Sequence, residues 1–133
     1  MRRTGVRNLE GVVFTEGTKE SMATQLRETM RTATCPRCGW RGYVETLTGA
    51  WRPHCPDGCR SPEGNPQTLT PLLHIPYDPD LLAELNTPTH QLTKTGRIHY
   101  SHPQGTHDDR FWALCLALRA AAASRRNKPV ATA

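Results

Sequence analysis

The sequence predicts an α/β chain: half of an open sheet with its flanking helices, interrupted by a small cysteine-bearing module. Three observations point that way. Apolar runs of strand length alternate with stretches of helical periodicity. Two pairs of closely spaced cysteines lie together in mid-chain. Eleven prolines and ten glycines among 133 residues punctuate nearly every junction.

Taken in order, Val12-Val13-Phe14 reads as a short strand. Thr18 is placed to cap a helix running to about Arg31, with Met22, Leu26 and Met30 forming its buried stripe. The cysteine module spans 34–65 and reads as an insertion that divides a single domain into 1–33 and 66–133. Beyond it, Leu72-Leu73-His74-Ile75 lies between Pro71 and Pro76 and predicts a buried strand, with His74 as a hydrogen-bonded core histidine. Asp78 followed by Pro79 is a helix start, and Leu81, Leu82 and Leu85 give that helix its inner face before Asn86 and Pro88 end it. Gln91 to Thr93 and Arg97 to Tyr100 alternate around Lys94-Thr95-Gly96, the pattern of a hairpin. The last helix begins near Thr106 and runs past Ala120. Phe111, Leu114, Cys115, Leu118 and Ala122 share one face, which Trp112 and Leu116 widen, so Cys115 is a small core residue. The tail 124–133 is basic and predicted to fray.

Composition bounds the rest. Hydrophobic residues make up 36% and aromatics 6%, enough for a modest core only. No apolar run is long enough to span a bilayer and the first residues lack an apolar leader, so the expectation is a cytoplasmic protein with no membrane partner. A net charge of +5 and an isoelectric point near 9.2 favour a polyanionic partner.

Cys35-Pro36-Arg37-Cys38-Gly39 and Cys55-Pro56-Asp57-Gly58-Cys59 form two knuckles about sixteen residues apart, the spacing of a zinc ribbon. A tetrahedral thiolate site needs two tight turns that each present two sulfurs. Zinc on Cys35, Cys38, Cys55 and Cys59 is therefore expected, with His54 a less favoured ligand and disulfides disfavoured in a reducing compartment. The second knuckle is one residue longer than the ideal, and Gly58 is placed to absorb it. Trp40, Arg41, Tyr43, Trp51 and Arg52 lie between the knuckles. Arg41, Trp51 and Arg52 are the candidates for nucleic-acid contact by stacking and phosphate pairing. The alternative is that zinc replaces a core too small to form and the tryptophans cover it.

The densest motif is Gly105-Thr106-His107-Asp108-Asp109, where a polar loop becomes an apolar helix. Two readings stay open. The carboxylates satisfy the helix N-terminus, with Thr106 and Asp109 as the two ends of a capping box, or they hold a divalent cation such as Mg²⁺ or Mn²⁺.

Gly11-Val12-Val13-Phe14, the helix from Lys19, His74-Ile75-Pro76-Tyr77-Asp78 leading to Leu82-Ala83-Glu84-Leu85, Thr95-Gly96-Arg97-Ile98-His99-Tyr100, and Gly105 to Asp109 with Ala113-Leu114 follow one order. That order resembles the C-terminal part of the nuclease domain of tailed-virus terminase large subunits. The resemblance implies a partial RNase H-like fold, the second half of the sheet with its flanking helices. It also implies metal-dependent cleavage of concatemeric double-stranded DNA during genome packaging, in the host cytoplasm. Asp108 or Asp109 would be an acidic ligand of catalytic Mg²⁺ or Mn²⁺, and His107 would orient a ligand or contact phosphate. Two departures matter. The chain has no Gly-rich lysine loop for ATP, and no acidic residue upstream of Thr106 sits in an apolar strand as a first nuclease motif requires. Adjacent aspartates make a poor two-metal site alone, so the remainder of the large subunit or another packaging protein is expected to complete it. The other classes are a non-catalytic zinc-ribbon protein that binds nucleic acid or regulates, and a purely structural protein.

Overall fold

A computed structural model describes residues 11–44 and 54–126, with side chains as far as 124. The chain is mixed α/β, with three helices and two small antiparallel sheets. In order these are α1 (Glu16–Arg31), β1 (Thr32–Thr34), β2 (Arg41–Tyr43), β3 (Thr70–Pro71), α2 (Pro79–Leu85), β4 (Thr89–Leu92), β5 (Ile98–Ser101) and α3 (Asp109–Arg126).

Helix α1 starts three residues earlier than the sequence predicts. Thr15 is the N-cap and Thr18 sits at N3, each hydroxyl serving the other's backbone N–H in a capping box. Thr18 Oγ1 also donates to the Val13 carbonyl at 2.7 Å, as does the Thr15 N–H at 3.0 Å. Those local bonds explain why Val12 to Phe14 is not a strand: its backbone is spent on capping, and Val13 stays 76% exposed. Of the expected stripe, Met22 and Leu26 are buried together with Ala23, whereas Met30 is half exposed.

Met22, Leu26 and Cys115 form the centre of the helical core, ringed by Val12, Leu73, Leu85, Phe111, Trp112, Leu114, Leu116 and Leu118. Cys115 is fully buried there, and burial pushes its thiol up to about 11. Helix α2 forms as the sequence predicts, with Asp78 Oδ1 accepting the N–H groups of Asp80 and Leu81. The β4–β5 hairpin also forms, pairing Thr89 with Ser101 and Leu92 with Ile98; β5 lies against α1.

The second sheet has the order β2-β1-β3, all antiparallel. It follows α1 directly, and it ends where Leu72 N–H donates to Thr32 O at 3.0 Å. The expected strand at Leu72 to Ile75 is therefore only a two-residue β3 one step upstream. Prolines at 71 and 76 remove donors that would prolong it, Leu73 turns into the helical core, and His74 is exposed rather than buried. No two described strands run parallel.

Leu26 is 2% exposed at the centre of the α1–α3 contact. Leu26→Ala is expected to lower unfolding free energy by about 2–5 kcal/mol. Leu92→Ser, at a position 75% exposed, is expected to change it by less than about 0.5 kcal/mol. Urea denaturation of both variants checks the pair.

Candidate functional site

The ribbon sheet places its two cysteine knuckles face to face. In the first, Cys35 N–H donates to Trp40 O and Gly39 N–H to Cys35 O, closing a tight turn that aims both sulfurs inward. Trp40 N–H then points at Cys38 Sγ, at 3.4 Å. In the second, Gly58 adopts φ +72° and absorbs the extra residue, as its placement predicts. Cys55 N–H donates to Gln67 O, and Gln67 N–H to Cys59 O, so a returning segment fixes both ends of that knuckle. Arg37 spans the two: its Nε donates to Arg60 O at 3.0 Å, and Arg60 Nη1 donates to Gly64 O.

The result is a cluster of Cys35, Cys38, Cys55 and Cys59 with all four sulfurs within 4.8 Å of one another. Cys38 and Cys55 stand 3.6 Å apart, and none is in a disulfide. Four sulfurs around zinc at ~2.3 Å would lie roughly 3.8 Å from each other, so the donor set and the spacing both fit a tetrahedral metal site. His54 is not in the cluster; it bridges to Thr68 outside it.

The protonation of the thiols agrees. Burial opposes ionisation of Cys35, but the amides of Cys38 and Arg37 and the neighbouring thiols outweigh it and lower Cys35 to about 7. At Cys38 the Trp40 amide favours the thiolate, yet burial and hydrogen bonds with Cys59, Cys35 and Cys55 prevail and raise it to about 12. Cys59 is also raised: the hydrogen bond with Cys38 favours its thiolate, but burial and the sulfurs of Cys55 and Cys35 outweigh it. Four ionisable sulfurs this close oppose one another's ionisation, and a bound cation would relieve that opposition.

Around the cluster, Ala33 and Leu69 are buried and Trp40 packs partly over them. Trp40 lies flat across Gly42, where an added Cβ would come within 2.5 Å of the indole. It covers the small core rather than standing free for a base. Arg41 and Tyr43 are exposed on β2, an edge strand, and the Arg31 guanidinium lies 6.0 Å from the Tyr43 ring. A hydrogen bond to the Glu28 carboxylate raises the Tyr43 phenol. Trp51 and Arg52 lie outside the described residues.

The carboxylate junction differs from its expected form. Thr106 does not cap α3. Its hydroxyl donates to Pro103 O at 2.6 Å in a turn completed by Gly105, and the helix begins at Asp109. Glu84 of α2 serves the helix end instead, its Oε2 accepting Arg110 N–H at 2.9 Å while Oε1 meets the Arg110 guanidinium at 3.3 Å. No capping box therefore links Thr106 to Asp109. Asp108 O accepts the Trp112 N–H and Asp109 stands in the first turn, so both aspartates remain at the helix N-terminus.

Asp108 lies in the wall of a cleft lined by Phe14, Lys19, Tyr100, Ser101, His102 and Trp112. Its Oδ2 accepts the Trp112 indole N–H at 2.8 Å and lies 3.4 Å from His102 Nδ1. Lys19 Nζ sits 5.7 Å over the Trp112 ring at the same cleft. Asp109 and His107 are exposed on the adjoining turn. Among the described residues only the four cysteines gather three or more metal-ligating side chains, so Asp108 and Asp109 have no third acidic partner there. Sequence reasoning missed Trp112 and His102 as partners of Asp108. The i, i+4 spacing of Asp108 and Trp112 on a helix was the available signal.

Elemental analysis is expected to give one zinc per chain, and Cys38→Ser to reduce it below half. Binding replaces protons on the raised thiols of Cys38 and Cys59, so zinc affinity should climb with pH as protons are released on binding; titration in weak buffer with a pH indicator checks this. Gly58→Ala, at a positive φ with open space around an added Cβ, is expected to weaken the folded knuckle by about 1 kcal/mol, read as easier zinc loss to a chelator. No described helix is long and apolar enough to cross a membrane. Set against protein-family models, curated proteins and solved structures, the chain matches none of them.

Proposed function

We propose that this chain is the C-terminal portion of a terminase-type nuclease module, with an RNase H-like origin, that contributes Asp108 and Asp109 to a metal-dependent DNA-cleaving site completed by another chain. The observation that carries this reading is the carboxylate junction. Asp108 stands in the wall of a cleft with Lys19 and His102, and Asp109 is exposed beside it at the start of α3, where Glu84 accepts the Arg110 N–H. A hard divalent cation takes oxygen ligands, and Asp108 and Asp109 would be its donors here, with His107 beside them. Bound Mg²⁺ or Mn²⁺ would polarise a scissile phosphate and activate water. Two carboxylates are too few for a pair of cations, which is why the remainder of the packaging enzyme belongs in the proposal. The zinc ribbon has a structural role, and the +5 charge suits double-stranded DNA.

A second reading has one observation in its favour. Arg41 and Tyr43 share the exposed face of edge strand β2, an arginine–aromatic pairing suited to nucleic acid without any cleavage.

Plasmid nicking with Mn²⁺ separates them. The chain alone is expected to be inactive, to nick when mixed with the polypeptide encoded immediately upstream, and to fall to background with Asp109→Ala or Asp108→Ala. Inactivity with that polypeptide present overturns the nuclease reading. Arg41→Ala is then expected to weaken DNA binding and to reduce the slope of log affinity against log salt by about one.

A further inference from the structure

We infer that the β4–β5 hairpin is a ribbon that enters the major groove of duplex DNA, an inference that takes its partner from the reading above and adds where the duplex is held. No acidic residue lies between Glu84 and Asp108, a stretch that carries Lys94 and Arg97. The register sorts the hairpin's side chains onto two faces, since Gln91 stands opposite His99 and Leu92 opposite Ile98. One face has Leu92, Ile98 and Tyr100, and the Tyr100 ring meets Trp112 of the helical core edge-on at 5.8 Å. The other has Thr89, Gln91 and Thr93 on one strand and Arg97, His99 and Ser101 on its partner, with no apolar and no acidic member. All four residues of β4 are exposed, and β5 is the strand that lies against α1.

The tip is fixed by its own bonds. Thr93 N–H donates to Arg97 O at 2.8 Å, Gly96 N–H donates to Thr93 O at 2.9 Å, and the Thr93 hydroxyl accepts the Arg97 N–H at 3.0 Å. The side chains of Gln91, Lys94 and Arg97 make no hydrogen bond or ion pair among the described residues. Carboxylates stand at the base instead, Glu16 at 3.1 Å from His99 Nδ1 and Asp108 at 3.4 Å from His102 Nδ1, so the outer end keeps its positive charge. The major groove of B-DNA, about 12 Å wide, admits a two-stranded ribbon, and glutamine and arginine are the side chains that pair with adenine and guanine edges there. Lys94 at the turn is placed for a phosphate. The major groove of A-form RNA is too narrow for such a ribbon. A turn already held in shape loses little freedom on binding.

Fluorescence anisotropy of the zinc-loaded full chain with a short labelled DNA duplex, without added Mg²⁺ or Mn²⁺, tests this. Lys94→Ala combined with Arg97→Ala is expected to weaken binding about tenfold or more and to reduce the slope of log affinity against log salt by about two. An RNA duplex of the same sequence is expected to bind wild type about tenfold more weakly. Wild-type affinity in the double variant, or equal affinity for the two duplexes, overturns the role of the hairpin and leaves the nuclease reading standing. Absence of DNA binding in wild type overturns the inference together with duplex DNA as this chain's partner. Amide resonances of the wild type give a check that needs no variant: those of 89–101 should shift when duplex is added, and shifts confined to Arg41–Tyr43 overturn the proposal.

Discussion

Four sulfur atoms confined within 4.8 Å set the terms for this chain. As thiols they pack poorly and share hydrogen bonds; as thiolates they repel. A cation would let all four ionise together, and its attraction would organise a module with two fully apolar buried residues, Ala33 and Leu69. The rest of the ribbon serves that requirement. Trp40 shields the cluster, Gly42 makes room for it, and Arg37 ties one knuckle to the backbone of the other while adding positive charge near a centre that carries two net negative charges with zinc bound.

The helical half is organised differently, by packing supported by a few polar contacts between helices such as Glu84 to Arg110. Its centre is small: one methionine, one leucine and one cysteine are buried, and everything around them is shared with solvent. This explains the crowd of aromatic rings at one end. Phe14, Tyr100, Phe111 and Trp112 supply through area and fixed geometry what a low apolar content does not supply in bulk. Three of these rings, Phe14, Tyr100 and Trp112, form one side of the cleft beside Asp108, so the ring cluster of the core adjoins the proposed chemistry.

Local signals were legible in the sequence and long-range ones were not. The cysteine spacing announced the knuckles, Asp78-Pro79 announced α2, and the Lys94-Thr95-Gly96 turn announced β4 and β5, because each depends on residues a few positions apart. Val12 to Phe14 misled because its apolar character serves a cap and a ring contact rather than a ladder, and periodicity cannot tell these apart over three residues. Leu72 to Ile75 misled because two prolines count for more than four apolar side chains in deciding whether a strand forms. Thr106 looked like a cap, but its hydroxyl turns back to Pro103 O and α3 starts three residues later, at Asp109. At the candidate site the aspartates were visible from the motif, but their partners Trp112 and His102 needed the fold.

The single hydrogen bond from Leu72 to Thr32 brings together residues about forty positions apart. Closing a flexible loop of that length costs roughly 3 kcal/mol in chain entropy, a sizeable share of the stability of a small domain. With the knuckles locked by metal the excursion is already shortened, and the two ends meet as neighbours. Without it the closure between β1 and β3 falls on a two-residue strand and the Leu72 N–H bond. A metal on the four cysteines would thus shorten the connection between α1 and the rest of the helical core as well as order the knuckles.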